Sequence, residues 1–290
     1  MRIHHLSCGT MCPLGGGLWD GFSPPLGAAT IVCHCLLLET EVGLVLVDTG
    51  FGLGDVTQPR RLSRFFRLAN RMRLREADTA LRQIEALGFT AAAVRHIVLT
   101  HLDFDHAGGI EDFPGATVHV FGVEHDAAQA QNGMLDRARY RPMQWGSQIG
   151  WQRYAPEGER WFGFSCVREL IGVPPEILIV PLAGHTLGHC GIAVRGPEGW
   201  LLHAGDAYFF RGEMDLRDYH CTPMLRLCQR LMAADNETRL ANQARLRELK
   251  RAHGGEIRLF CAHDAKELEA FPRIAPDPIP AAAAPLSQHA

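Results

Sequence analysis

Short apolar runs that end on polar clusters recur along this chain, and they predict strands that deliver side chains to one edge of a sheet. Thr30 to Leu38 is rich in branched and apolar residues, and Gly43 to Val47 is continuously apolar before Asp48-Thr49-Gly50. The two read as a hairpin whose second strand carries Asp48 into a loop. Arg95 to Leu99 has the character of a buried strand and runs straight into a histidine cluster. Thr117 to Phe121 is a further strand, and Glu176 to Pro181 leads to a second histidine cluster. Gly191 to Val194 and Trp200 to His203 form another hairpin pattern, followed by Gly205-Asp206, and Glu256 to Cys261 is a strand with His263 just beyond it. Between these runs, the spacing predicts helices over Arg60 to Arg75, over Ala77 to Leu87 with Gly88 as its C-cap, and over Asn236 to His253.

Residues 121–172 break this rhythm. They hold Tyr140, Trp145, Trp151, Tyr154 and Trp161 among several glycines, and read as an aromatic-rich insertion over a site rather than as a separate unit. No tandem repeat or internal boundary is evident, so residues 1–271 are expected to form a single domain. The tail 272–290 is rich in proline and alanine and is expected to be poorly ordered.

Composition changes this picture little. A chain of 290 residues with 47% hydrophobic content can bury a large core, and its formal charge of -3 argues against a general nucleic-acid binder. No apolar stretch is long enough to span a bilayer, and the first residues lack the apolar core of a secretion signal, so a cytoplasmic protein is expected. The nine cysteines include the close pairs Cys8/Cys12 and Cys33/Cys35, without a second pair at zinc-ribbon spacing. They read as small buried side chains in a reducing compartment. Gly15-Gly16-Gly17 has no lysine at phosphate-loop spacing and reads as a flexible rim, where Met11, Leu14, Leu18 and Trp19 could line an apolar pocket.

The chemistry lies in four separated places. They are His101-Leu-Asp103-Phe-Asp105-His106, Gly184-His185-Thr-Leu-Gly-His189, Gly205-Asp206 and His263-Asp264. A divalent cation needs several such groups to converge while leaving a position for water or substrate. A regular strand would send His106 to the face opposite Asp105; a turn after the strand could instead fan the four side chains around two centres. Ala107-Gly108-Gly109 supplies small residues for backbone passing close to a metal.

This ordered set resembles the metallo-β-lactamase superfamily of hydrolases, whose pattern is His-x-His-x-Asp-His, a distant Gly-His, an Asp and a final His. The upstream Asp48-Thr-Gly also matches, and the likeness spans about Thr30 to His263. The resemblance implies an α/β (α+β) fold, a four-layer αββα sandwich with the site along one edge. It implies a first metal on His101 and His185, a second on Asp105, His106 and His263, and Asp206 bridging them. One position departs from the pattern: Asp103 stands where the second histidine belongs. A carboxylate is a harder ligand than imidazole. Asp103 could bind the first metal directly, bind it through water, or leave only the second metal tightly held. The cofactors implied are two divalent metal ions, zinc first, with iron or manganese admitted by Asp103.

The activity implied is hydrolysis by metal-activated hydroxide, with Asp105 orienting the nucleophile and passing on its proton. Among the branches of the superfamily the plan looks most similar to the lactonases, in which a tyrosine shortly after the bridging Asp contacts the substrate carbonyl. Tyr208 is the nearest residue, one position short of that spacing. The substrate expected is therefore a small molecule, a lactone or carboxylic ester with an apolar acyl part. The alternatives are a thioester hydrolase of glyoxalase II type, a di-iron oxidoreductase supported by Asp103, and a non-catalytic binding module. His189 and His203 read as structural, Asp48 as fixing the loop below the metals, and Asp264 as either orienting His263 or capping a loop. The arginine-rich stretch 60–75 reads as a lid or a contact in a homodimer rather than a membrane-surface helix.

Overall fold

Residues 1–146 and 149–272 are described by the computed structural model of the chain, and their architecture follows from which strands are buried on both faces. The first sheet comprises β1 (Arg2–Met11), β2 (Ile31–Thr40), β3 (Gly43–Val47), β4 (Val94–Val98), β5 (Thr117–Phe121) and β6 (Gly150–Tyr154), in that spatial order. β1 to β3 pair antiparallel, and β3 to β6 pair parallel. The second sheet holds β7 (Glu159–Trp161), β8 (Phe164–Glu169), β9 (Ile177–Pro181), β10 (Cys190–Gly196), β11 (Gly199–His203) and β12 (Ile257–Phe260), ordered β12-β11-β10-β9-β8-β7.

β3 is apolar throughout because alternate residues enter different layers. Val45 and Val47 join Leu36 and Leu38 of β2 and Ile177, Ile179, Ile192 and Val194 of the second sheet in the core between the sheets. Leu44 and Leu46 point the other way, against Leu81 and Ile84 of the helix Ala80–Ala86. On the far side Ala193, Leu202 and Ile257 meet Leu246 and Leu249 of the helix Asn236–His253. Helix, sheet, sheet and helix thus give the four layers expected. Each such leucine or isoleucine, at most 9% exposed, contributes roughly 1.5–3 kcal/mol.

The long helix starts at Asp235, whose carboxylate accepts from the Glu237 and Thr238 amides, and ends in Lys250, Arg251 and His253, complementing its dipole at both ends. The predicted helix over 60–75 is shorter in fact. Only Arg64–Asn70 is α-helical, preceded by a 3-10 turn at Pro59–Arg61, and Arg73 instead donates its amide to the Thr10 carbonyl. The helix read over 77–87 likewise splits into a 3-10 turn, Glu76–Asp78, and Ala80–Ala86, capped by the Thr79 hydroxyl.

Residues 121–172, read as an insertion over the site, are for the most part integral to the two sheets. They build the edges of both sheets, β6 on one and β7 and β8 on the other, with the helices Gly122–Ala130 and Met134–Arg139 between. Their tryptophans pack away from the site. Trp145 and Trp151 lie in the outer core of the first sheet, and Trp161 stacks edge-on to Trp200 at 5.3 Å on the second. Apart from Pro272, the Pro/Ala tail lies outside the described residues. Among the described residues no helix is long and apolar enough to cross a membrane.

Candidate metal centre

The apolar strand ends carry their polar clusters to one edge. After β4 the chain makes a turn in which the amides of His106 and Ala107 both donate to the Asp103 carbonyl. That turn fans His101, Asp103, Asp105 and His106 inward. His185 arrives after β9, Asp206 after β11 and His263 after β12.

Two groups form. The potential ligand atoms of His101, His185 and Asp206 lie within 4.8 Å of one another, and so do those of Asp105, His106 and His263. All six side chains are buried. Asp206 stands between the groups. Its Oδ2 is 3.3 Å from His185 Nε2, and its Oδ1 is 3.3 Å from His106 Nε2 and 3.1 Å from His263 Nε2.

The ring orientations fit metal binding. His106 donates Nδ1–H to Asp48 Oδ2 at 2.8 Å, and His263 donates Nδ1–H to the Val32 carbonyl at 2.7 Å. The Thr100 hydroxyl donates to Asp48, so its oxygen is left to accept from His101 Nδ1–H at 3.0 Å. Each ring therefore turns the lone pair of Nε2 to the centre. His101 Nε2, His106 Nε2 and Asp206 Oδ1 are buried with no hydrogen-bond partner. Such orphaned acceptors are costly unless a cation takes them up, and two divalent ions fit this donor set.

Burial pushes the pKa of His101 down to about 4, and His106 nearby pushes the same way, so the ring is a neutral ligand. Burial would raise Asp206, but His263 and then His106 and His185 hold it well below the usual carboxylate range.

The supporting shell is dense. Asp48 accepts from the Thr100 amide and hydroxyl as well as from His106, and does so from a left-handed backbone conformation (φ 53°) that few residues other than glycine, Asn or Asp adopt. It thus fixes the loop and also orients a ligand. His189 donates to the Leu182 carbonyl and accepts the Asp206 amide at 2.8 Å, which positions Asp206. His203 accepts the Gly205 amide. Gly205 itself is left-handed, and a Cβ there would stand 2.6 Å from His189 Nε2. Gly108 follows the turn that carries His106. A Cβ on it would press on the Gly50 carbonyl and Asp55, both at 2.5 Å, so it serves the packing of two loops. Asp264 caps the helix Ala265–Glu269 and binds Arg211; it does not orient His263.

Two residues of consequence were not singled out from the sequence. Glu124, fully buried, accepts the Leu102 amide on one oxygen and the Gly188 amide on the other, tying the loop of His101 to the loop of His185. Arg139, at the end of its helix, donates from Nε and Nη2 to the two oxygens of Asp103, each at 2.6 Å. Burial opposes the charged guanidinium, but the Asp103 carboxylate more than offsets it and raises the Arg139 pKa. Both oxygens of Asp103 are thus engaged by Arg139, with Oδ2 3.1 Å from His185 Nε2 and 3.4 Å from His101 Nε2. No pattern in the sequence separates Arg139 from Arg137 and Arg141 on either side.

Tyr208 does not reach the site. It is fully buried in the core outside the second sheet, and its hydroxyl donates to the Glu267 carboxylate at 3.0 Å. The chain after Asp206 is an irregular turn rather than a strand, and it brings Phe209 to the centre instead, with its ring centroid 4.7 Å from that of His263. Phe209 occupies the position that the lactonase spacing selects, and it carries no hydroxyl. With Met11, Trp19, Ile31, Phe66, Phe104, Leu225 and Met232 it walls a cavity of about 70 Å³ whose floor is Asp103, Asp105, His185, Asp206 and His263. Met11 and Trp19 thus line a pocket as expected, whereas Leu14 and Leu18 are exposed.

The four-layer fold with ligand groups at its edge is that of a metal-dependent hydrolase class, and comparison with known proteins agrees. Residues 30–252 match the metallo-beta-lactamase superfamily, and the chain belongs to it. It is 41% identical over 264 residues to a "probable metallo-hydrolase" of Mycobacterium tuberculosis, covering 91% of this chain and 80% of that protein. It is 33% identical over 162 residues to an N-acyl homoserine lactonase of a Bacillus species, covering 56% and 57% of the two chains. Among solved structures, an N-acyl homoserine lactone hydrolase with N-hexanoyl-L-homoserine bound at its catalytic metal centre superposes with a TM-score of 0.69 at 21% identity, covering 93% of this chain and 96% of that one. The chain is a metallo-hydrolase of this fold.

Proposed function

We propose that the protein hydrolyses a lactone or carboxylic ester with an apolar acyl part, using two divalent cations. The observation that carries this reading is the junction of two ligand groups with an apolar cavity. His101, His185 and Asp206 would hold one cation, Asp105, His106 and His263 the other, with Asp206 shared. Cations there would polarise a carbonyl oxygen and lower the pKa of water toward neutrality.

The chain's own residues do the rest. Asp105 is buried against His106 and His263, so its carboxylate is placed to accept a proton from the nucleophile. Phe66, Phe104, Phe209, Leu225 and Met232 surround the floor of the cavity with hydrocarbon. They would exclude competing water and favour an acyl chain over a charged or phosphate-bearing substrate. The lactonase relatives and the lactone hydrolase structure support the ester or lactone bond as the target. The di-iron alternative drew on Asp103 as a free carboxylate, and with both its oxygens accepting from Arg139 that support falls away.

Initial rates of the zinc-loaded protein on a long-chain acyl lactone, an aryl ester, a glutathione thioester and a phosphodiester test the reading. The lactone or ester should lead by at least tenfold. Activity on the phosphodiester alone would overturn it.

A further inference from the structure

The two ligand groups are alike in burial but not in charge. A guanidinium stands in one of them. Arg139 is 2% exposed, and its N–H groups are spent on fixed partners: Asp103 from Nε and Nη2, the Met232 carbonyl from Nη1 at 2.8 Å, and His185 Nε2 from Nη2 at 2.8 Å. The backbone holds it there, because the Phe104 amide donates to the Arg139 carbonyl and Asp103 bridges to Tyr140. Around Asp105, His106 and His263 the charged neighbours are instead the carboxylates Asp48 and Asp206.

We propose that Arg139 is a built-in cation of the first position, which makes the two metal positions unequal. The Asp105–His106–His263 position fills tightly and the His101–His185–Asp206 position fills weakly. The inference rests on the reading that both groups bind metal. Three effects point the same way. Arg139 neutralises the carboxylate that replaces the usual histidine. It occupies the lone pair of His185 that an incoming ion needs. Within the pair, the guanidinium lies nearer His185 Nε2 (2.8 Å) than the Asp103 Oδ2 does (3.1 Å), so the pair turns its positive end toward an arriving ion in a buried site where screening is weak. Asp103 and Arg139 together thus act as a neutral pair in place of one neutral ligand, without supplying that ligand's free lone pair.

A rival arrangement would have Arg139 orient Asp103 as a true ligand of the first metal, and it predicts the opposite response to losing the arginine. Metal-free protein would be titrated with zinc against a chromophoric chelator, and metal content measured after gel filtration. Wild type should retain one equivalent, with the second at least 100-fold weaker. Arg139→Met should tighten the weak position at least tenfold and retain close to two equivalents. Because that substitution leaves Asp103 buried without its cationic partner and could prevent folding, the double variant Asp103→Asn/Arg139→Met, which removes both charges, should tighten the position in the same direction. Cobalt substitution gives a second readout, with the absorption of wild type saturating near one equivalent and that of the variants near two. Two equivalents of equal affinity in wild type, or loss of the second equivalent in either variant, overturns the inference while leaving the two-metal reading intact. A wild type that binds no zinc overturns both.

Discussion

Asp48 reaches His106 across 58 positions of sequence, accepting Nδ1–H at 2.8 Å while its other oxygen holds the Thr100 amide. This contact fixes the tautomer that leaves His106 Nε2 free for a metal. Asp48→Asn keeps the size and tolerates the left-handed backbone, but offers an amide either to His106 or to Thr100. We expect zinc affinity at the Asp105–His106–His263 position to fall by roughly 10–100-fold, measured by chelator competition. Unchanged affinity would make Asp48 a purely structural residue.

Metal removal should also loosen the fold. The orphaned acceptors at the centre, His101 Nε2, His106 Nε2 and Asp206 Oδ1, are satisfied only when cations are present. A ligand held at 100 times its Kd stabilises by about 2.7 kcal/mol. For a chain of this size that corresponds to roughly 4–5 °C, so thermal unfolding with chelator should begin that much lower and recover on adding zinc. Equal midpoints with and without metal would remove the centre from the stability of the protein.

The buried Tyr208 donates to the half-buried Glu267, and neither lines the cavity, which sets two expectations. Tyr208→Phe deletes one hydrogen bond and should cost about 1 kcal/mol in denaturant unfolding. Its kcat on the best substrate should stay within twofold of wild type. A hundredfold loss would return the phenol to the chemistry.

Burial lifts the Glu267 carboxyl from its ordinary 4.5 to about 7. Below pH 4.5 the folded and unfolded chains both hold the proton, and its contribution to stability is complete. Between 4.5 and about 7 the unfolded chain releases the proton while the folded chain keeps it, so stability falls as pH rises; above 7 the loss is complete. Integrated over that window the loss is on the order of 3 kcal/mol. Glu267→Gln stays neutral throughout and still accepts from Tyr208 and Cys261. Denaturant unfolding at several pH values, with chelator present so that metal loading is constant, should show the variant gaining on wild type from pH 4.5 to 7 and then running parallel. A difference that does not change with pH would mean that Glu267 ionises normally in the fold.

The ligand groups were legible because each sits where an apolar strand ends, and the strand pattern and the polar cluster can be read together. The four layers followed from the order of those motifs. What could not be read depends on contacts distant in sequence. Glu124 is one acidic residue in a helix's first turn, and only the fold shows it joining Leu102 to Gly188. Arg139 is one of three alternating arginines, and only the turn at Asp103 selects it. The tryptophans of 121–172 misled because a large aromatic in an irregular segment has the same local signature whether it lines a pocket or fills a core. The helix over 60–75 was overextended because arginine and leucine spacing continues past Asn70, where an extended pairing of Arg73 with Thr10 wins over the helix.

Phe209 carries the last expectation. Its ring lies over the floor of the cavity, 5.7 Å from His185 and 4.7 Å from His263 between centroids, at the place where the lactonase pattern has a tyrosine. Phe209→Tyr would add a hydroxyl to a mainly apolar wall, within reach of a substrate carbonyl held above Asp206. One neutral hydrogen bond formed only as charge develops on that oxygen contributes roughly 0.5–1.5 kcal/mol, or about a two- to tenfold gain in rate. The gain should appear in kcat on lactones and esters with KM little changed, since the ring and its packing are retained. A fall in kcat with unchanged metal content would mean that the hydroxyl is buried unpaired, and that the substrate carbonyl lies elsewhere than the geometry of Phe209 indicates.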